Sequence, residues 1–246
     1  MRGTLFLPLT NVAGVRFFLV CALALFASMP ALAQDQAINR FTIYTGFDYM
    51  TNPSENLTQR GFDTDFGVTV KPWLGLGADF SAAGDAIISG GGTINGSQTK
   101  YAASLGAAHA KFPELVPAPN QITVPFRSTT YTIAAGPQFY IRKWTKVTFL
   151  VRPGLGAIKA SADLTFPPGL GPIFEQLGIV PPNPHQSDTT WFWGVGGGVD
   201  LNVSRHIGIR FTGDYINTHL FSNLLTNRQN YARFTVGPTW RWGRLY

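Results

Sequence analysis

The sequence predicts an all-β fold, an antiparallel transmembrane β-barrel, because it combines an export signal, repeated strand alternation and few charged residues. Residues 1–33 hold two arginines, then the apolar run 17–29, then Ala-Leu-Ala. That run is shorter than the ~20 residues of a membrane-spanning helix, and the small residues before position 34 suit signal-peptidase cleavage. We therefore expect a cleaved signal peptide over 1–33 and one barrel domain over 34–246.

The composition narrows the class of protein. Charged residues make up only 13% of the chain and 27 residues are glycine, whereas soluble domains usually carry ~25% charged residues. No apolar run long enough for a membrane-spanning helix follows residue 33, so a membrane would be crossed by strands. The only cysteine, Cys21, lies in the signal region, so a disulfide or thiolate metal site is excluded from the mature chain. Loss of two arginines with the signal peptide lowers the formal charge from +6 to +4, which does not indicate nucleic acid as a partner.

Eight segments alternate apolar and polar residues with the period of two that barrel strands require. They are 40–50, 62–71, 73–82, 130–141, 147–159, 190–203, 205–216 and 230–242. Short connections at 71–72, 142–146 and 203–206 alternate with long ones at 51–61, 83–129, 161–189 and 217–229. Outer-membrane barrels have short periplasmic turns and long external loops. We predict eight strands, or ten if 83–129 adds a pair, with both chain ends periplasmic.

The first three segments alternate without interruption. In RFTIYTGFDYM (40–50), Phe47 lies on the outward face and Asp48 on the inward face. The segment FDTDFGVTVK (62–71) ends at a proline, which predicts a turn. In WLGLGADFSA (73–82), glycines and Asp79 share the inward face.

Three of the other five segments contain a proline. These are TYTIAAGPQFYI (130–141), VTFLVRPGLGAIK (147–159) and NYARFTVGPTWRW (230–242), with Pro137, Pro153 and Pro238. Because proline has no N–H to donate, we expect bulges or strand ends there. The segments TWFWGVGGGVDLNV (190–203) and RHIGIRFTGDYI (205–216) lack proline, and each places apolar residues such as Trp191, Trp193 and Ile207 outward.

The inward face collects acids and bases in similar numbers. An eight-stranded barrel has room inside for side chains only, and buried charges are costly unless they are paired. We therefore expect a luminal network, structural in role, that plugs the barrel, with inward glycines making room for the arginines. Its predicted members are Asp48, Asp63, Asp65, Asp79, Asp200, Asp214, Lys71, Arg152, Arg210, Arg233 and Arg241. The predicted space-making glycines are Gly75, Gly77, Gly154, Gly156, Gly194, Gly196 and Gly198.

The final segment carries the most specific motif. Thr235-Val-Gly-Pro-Thr-Trp-Arg-Trp242 resembles the polar-x-Gly-x-x-aromatic-x-aromatic signal of outer-membrane barrels. With the eight segments, residues 39–246 resemble the small OmpA-like or OmpX-like barrel family. The resemblance implies location in the outer membrane, contact with its lipid, and recognition by the barrel-assembly machinery. The residues matching that signal are Thr235, Gly237, Trp240 and Trp242. Because four residues follow Trp242, we expect a barrel without a periplasmic domain.

Other motifs do not predict a cofactor or a metal. The glycine runs 90–92 and 194–198 lack the Gly-Lys-Ser/Thr that follows in a phosphate-binding loop. The four histidines are scattered along the chain without zinc-ligand spacing; they are His109, His185, His206 and His219.

These observations favour a non-enzymatic outer-membrane barrel that serves envelope integrity or surface interaction through external loops, for a ligand that the sequence does not name. A narrow porin-like channel is the first alternative. The second is a lipid-modifying or proteolytic enzyme, for which His219, Ser222 and Asp188 could assemble at the external rim.

Overall fold

The computed structural model describes residues 38–166, 183–226 and 228–245. The predicted signal peptide, most of the proline-rich link after residue 166 and the terminal Tyr246 lie outside the described residues. Within the described part of the chain, no helix has both the length and the apolar character needed to cross a bilayer.

Nine strands in the described residues form one closed antiparallel barrel. They are β1 (Phe41–Asn52), β2 (Leu57–Lys71), β3 (Leu74–Gly84), β4 (Ser89–Asn95), β5 (Thr123–Ile141), β6 (Val147–Leu164), β7 (His185–Asn202), β8 (Ile207–Thr218) and β9 (Gln229–Trp242). One α-helix, α1 (Ala102–Lys111), and short 3-10 turns at Pro53–Glu55, Gly96–Gln98 and Pro119–Gln121 lie between strands. The predicted count of eight strands is therefore wrong.

The additional strand arises because an insertion divides the third strand. Along β2, Gly61 faces Ala83 of β3, and the next residue, Arg60, faces Ser89 of β4. The strand β4 thus continues β3 along the same neighbour, while residues 85–88 leave the sheet at Gly84. That glycine has φ +132°, which side-chain-bearing residues rarely adopt. Because β3 pairs directly with β5, and β1 pairs antiparallel with β9, the closed ring has eight positions.

The barrel has a short-turn end and a long-loop end. Two residues, 72–73, join β2 to β3, and the turns 142–146 and 203–206 lie at the same end. At the other end lie the strand ends at Asn95 and Thr123, at Leu164 and His185, and at Thr218 and Gln229. The prediction of a long link at 51–61 is wrong, because β1 ends at Asn52 and β2 begins at Leu57, so that four residues join them. Asn52 closes that turn by accepting a hydrogen bond from the Ser54 amide at 3.1 Å.

The three strand prolines do not produce the expected bulges. Pro137 faces Leu76, and Pro153 faces Val195, in ladders that keep one register throughout. Between β5 and β6 the ladder lapses beside Pro137 and resumes in the same register. A few residue pairs of the ladder are lost where proline lacks an N–H. The register is unchanged, so later residues keep the same inward or outward orientation.

The two faces of the barrel wall differ in chemistry. Many outward side chains are apolar and exposed, and they include Phe47, Phe66, Leu76, Ile133, Leu155, Trp193, Ile209, Phe211, Phe234 and Trp240. Acids and arginines are instead buried on the inward face. Strands β5, β6 and β7 have 19, 18 and 18 residues, well beyond the ~9–11 that span a bilayer.

Candidate functional site in the lumen

Arg152 is the centre of a buried charge cluster. Its Nε and Nη2 donate to Asp214 Oδ1 and Oδ2 at 2.9 and 2.7 Å. Its Nη1 donates to Asp65 Oδ2 at 2.9 Å and to Asp79 Oδ2 at 3.2 Å. Strands β2, β3, β6 and β8 supply these four residues, so the pairs join opposite sides of the barrel wall.

Arg233 of β9 closes this cluster. Its Nη1 lies 3.0 Å from Asp79 Oδ1, and its Nε lies 3.1 Å from Asp214 Oδ2. A second pair of arginines lies nearer the short-turn end. Arg210 Nε and Nη2 donate to the two Asp200 oxygens at 2.6 and 3.0 Å, and Arg241 Nη2 lies 2.9 Å from Asp200 Oδ2. We call these residues, with Asp48 and Asp63, the charge network.

Two carboxylates of the charge network lack hydrogen-bond partners. Asp48 and Asp63 are both 0% exposed, and none of their carboxylate oxygens makes a hydrogen bond. Asp63 still lies 3.7 Å from Arg233 and 3.9 Å from Arg152, whereas no ion pair within 4.0 Å involves Asp48 among the described residues. Since six acids face four arginines, full ionisation would leave the network with a formal charge of −2.

Lys71 does not join the charge network, which corrects the sequence prediction. A register shift between Thr69 and Lys71 interrupts the β2–β3 ladder. Such an irregularity changes the facing of the residue that follows. The Lys71 side chain is exposed, and its ammonium lies 5.9 Å from the Trp73 ring centroid.

Inward glycines leave space mainly for groups other than arginine. A Cβ at Gly196 would overlap the Asp214 carboxylate, and one at Gly77 would overlap the Gln138 amide. At Gly156 the space is taken by the Phe192 ring. The groups that a Cβ would meet at these three glycines are a carboxylate, an amide and an aromatic ring, and none is the arginine side chain that the sequence predicted.

Neutral polar residues that were absent from the predicted luminal set also make hydrogen bonds in the lumen. Gln138 Nε2 donates to both Asp65 oxygens at 2.8 and 3.1 Å, and the Tyr140 hydroxyl donates to the Gln138 carbonyl oxygen. The Tyr44 hydroxyl donates to Thr235 Oγ1 at 2.6 Å. These residues occupy inward positions of the predicted alternation. Their placement at every second residue of a strand, on the same face as the charges, was the signal that could have identified them.

An apolar cluster fills the lumen between the charge network and the long-loop end. Every strand except β3 contributes to it, and the link after β8 adds three leucines. Its larger members are Met50, Leu57, Ile94, Phe126, Ile158, Phe192, Ile216, Leu220, Leu224, Leu225 and Tyr231. Burial of such side chains stabilises by ~1.5–3 kcal/mol each, and the packed cluster leaves a hydrated path little room.

The link 96–122, which we call the cap, crosses the barrel mouth. Thr99 forms an antiparallel bridge with Leu225, and the Lys100 amide donates to the Leu224 carbonyl at 2.9 Å. On another side, Gln98 Nε2 donates to the Ser54 carbonyl at 3.0 Å. The cap thus connects β4 to the link before β9 and to the turn after β1.

Asp188, one residue of the alternative enzymatic set, makes other contacts in the described residues. Asp188 accepts hydrogen bonds from the backbone amides of Phe221 at 2.5 Å and Thr189 at 2.7 Å. No hydrogen bond joins Asp188, His219 and Ser222 to one another in the described parts of the chain. The Asp188 carboxylate instead holds the link after β8 in place.

The terminal-strand residues have distinct environments. Thr235 is buried and shares a 2.7 Å hydrogen bond with Thr212. Gly237 lies against the β1 backbone so closely that a Cβ would overlap Thr45. Trp240 and Trp242 project outward and are exposed.

Comparison with known proteins agrees with this architecture. The sequence profile of the family described as "Outer membrane protein beta-barrel domain" matches residues 19–241. A search of curated proteins gave no match.

Several solved structures are similar to this chain. Neisserial surface protein A is 11% identical, with a TM-score of 0.51, over 82% of this chain and 97% of that one. OprG of Pseudomonas aeruginosa is 9% identical, with a TM-score of 0.46, over 84% of this chain and 97% of that one. Ail of Yersinia pestis is 14% identical, with a TM-score of 0.44, over 82% and 96%. Of these three, the likeness to Neisserial surface protein A, at a TM-score of 0.51 and 11% identity, bears on the fold, and on the fold alone.

Proposed function

This chain belongs to the outer membrane protein beta-barrel domain family, and we propose that it is a non-enzymatic, non-conducting barrel serving envelope integrity or surface interaction through its long-loop end. Membership confirms the resemblance to small outer-membrane barrels and the location in the outer membrane. The short-turn end then faces the periplasm, and the long-loop end faces outward.

The filled lumen is the observation that carries this proposal. Ions crossing the barrel would have to break hydrogen-bonded pairs of the charge network, then cross the apolar cluster, then displace the cap. A cavity of about 50 Å³ beside Arg152 and Asp214 has space for only a few waters. It shares no lining residue with the larger cavity at the periplasmic mouth.

The cap supports an outward role. Helix α1 packs through Leu105 against Ile122, while Phe112 and Leu115 remain exposed at 44% and 63%. Apolar side chains exposed beyond the membrane can contact a partner, and the closed barrel would hold them in a fixed place.

Conductance in planar lipid bilayers tests the non-conducting barrel against the narrow channel. We expect no steady openings from the purified protein or from Arg152→Gly, because the apolar cluster and the cap would still block the barrel after the central guanidinium is removed. The matched control, Lys159→Gly on the outward face of the same strand, should stay silent. Steady wild-type openings that change with Arg152→Gly would instead favour the channel.

A cellular assay tests the role of the cap. A strain lacking the gene is complemented with wild type or with a chain whose residues 99–118 are replaced by a short Gly-Ser linker. Loss of detergent resistance, or of surface binding, only with the second chain supports the proposal. A changed lipid A mass that depends on wild type would favour the enzyme.

A further inference from the structure

The periplasmic mouth of the barrel contains a cavity of about 370 Å³ that the charge network does not fill. A water needs ~10–15 Å³ of such volume, so the cavity can hold a ligand much larger than one ion. We call it the vestibule. Its lining residues that bear charge are Arg142, Arg205, Arg210, Arg241 and Asp200.

The lining of the vestibule has more positive than negative charge. Among the described residues, Asp200 is the only acid in its lining, and its two oxygens are already hydrogen-bonded by Arg210 and Arg241. The buried Arg210–Asp200 pair thus forms a floor, and two arginines remain without a carboxylate. No ion pair within 4.0 Å involves Arg142 or Arg205 among the described residues.

Arg142 is held in place at the vestibule wall. Its guanidinium lies 4.0 Å from the Tyr140 ring centroid, and its Nη1 donates to the Pro72 carbonyl. Burial lowers the pKa of Arg142; Tyr140 and Asp200 raise it, while the nearby Arg241 and Arg210 guanidiniums lower it. An anion entering the vestibule would relieve this repulsion.

The remaining polar lining is rich in donors. It comprises Asn39, Thr42, Thr145, Thr148, Asn202 and Ser204, all with hydroxyl or amide groups. Guanidinium forks bind phosphate and carboxylate oxygens through paired, charge-assisted hydrogen bonds. The Asn202 amide already donates to Thr145 and Thr148, and the Asn39 amide donates to the Arg205 carbonyl. The Thr42 and Ser204 hydroxyls can donate to the remaining oxygens of the same ligand.

The surrounding rim would attract such a ligand from a distance. The segments 38–42, 69–75, 139–149, 199–209 and 238–245 contain eight Lys or Arg residues and one acid, Asp200. A cleft surrounded by charge of one sign raises the local concentration of counter-ions and speeds their association.

We infer that the vestibule binds a soluble, multivalent oxyanion of the periplasm through phosphate or carboxylate groups, with Arg142 and Arg205 as its main contacts. The ligand is soluble because the barrel wall separates the vestibule from the bilayer. This site is independent of whether the barrel conducts and of what the cap contacts.

Isothermal titration calorimetry tests the inference. The purified full barrel, in an uncharged detergent, is titrated with inorganic pyrophosphate and, separately, with citrate. Saturable one-to-one binding of either probe, absent with chloride at equal ionic strength, is expected. The stronger probe identifies the preferred group. Arg205→Gln and Arg142→Gln should each weaken binding tenfold or more.

Matched controls separate the site from diffuse charge. Arg244→Gln and Lys146→Gln remove rim charges outside the vestibule lining and should change affinity less than twofold. All variants must keep the heat-modifiable gel mobility of a folded barrel. Absence of saturable heat, or equal weakening by Arg244→Gln and Arg205→Gln, would overturn the site. A tightly co-purifying phospholipid that Arg205→Gln releases would overturn the soluble ligand.

Discussion

The Arg152 guanidinium and the Asp214 carboxylate form a buried two-point pair, with Nε 2.9 Å from Oδ1 and Nη2 2.7 Å from Oδ2. The same guanidinium also serves Asp65 and Asp79. Replacing Arg152 therefore removes a hydrogen-bonded ion-pair partner from three carboxylates at once, and Arg233 remains hydrogen-bonded to Asp79 and Asp214.

Arg152→Met should lower the free energy of unfolding by about 3–5 kcal/mol, because breaking one partner of a buried ion pair leaves uncompensated charge. Urea unfolding in detergent, followed by tryptophan fluorescence, measures the change. Lys159→Met, on the exposed face of the same strand, should stay within about 0.5 kcal/mol. Equal effects of both variants would contradict a special role for Arg152.

Asp48→Asn and Asp214→Asn should act in opposite directions. Asp48 has no hydrogen-bond partner for either oxygen, so removing its charge should raise the free energy of unfolding by about 1 kcal/mol. Asp214 accepts from two arginines, so its amide should cost about 3 kcal/mol. The same urea unfolding assay measures both changes. Destabilisation by Asp48→Asn would contradict the absence of a partner for the Asp48 carboxylate.

Stability should also depend on Glu55, in the turn between β1 and β2 outside the membrane. Burial raises the pKa of Glu55 from 4.5 to about 7. The unfolded chain releases this proton first, so the folded state binds more protons between these values. Stability should therefore fall as the pH rises from about 4.5 to 7, by about 3 kcal/mol.

Glu55→Gln provides the comparison for this pH effect. The variant should lose the Glu55 part of the decline and be more stable than wild type at pH 8. Unfolding midpoints at pH 5 and pH 8 for both chains give the difference. Parallel pH profiles would show that Glu55 is not buried in the way described.

Barrel closure should depend on Gly237. Because a Cβ there would overlap the β1 backbone at Thr45, Gly237→Ala should destabilise the barrel by about 1–3 kcal/mol. At Gly213 the nearest atom to a Cβ is the Phe234 ring at 3.6 Å, so Gly213→Ala should be tolerated. The fraction migrating as folded barrel in unheated gels measures both. A similar folded fraction for the two variants would argue against close approach at β1–β9.

Much of the site could be predicted because alternation is a local property of each strand. Asp48, Asp79, Arg152 and Asp214 fall on inward positions, and the structure buries all four. The prediction for Lys71 was wrong because of the register shift beside Thr69. That shift depends on how β2 pairs with β3, and the sequence of one strand does not encode the pairing. Charged residues occur on the inward face of most predicted strands. Their positions in the sequence did not indicate that apolar residues fill the lumen near the long-loop end.

The sequence by itself determined the all-β class, the family, the outer-membrane location and the facing of most strand residues, since each rests on a local pattern or a terminal motif. Only the tertiary structure decided which charges meet, because the stagger between strands sets the depth of each inward residue. It also showed that β4 continues β3, that the cap crosses the mouth to Leu225, and that Arg142 and Arg205 share a vestibule. These depend on contacts between residues far apart in the chain, which strand periodicity does not encode.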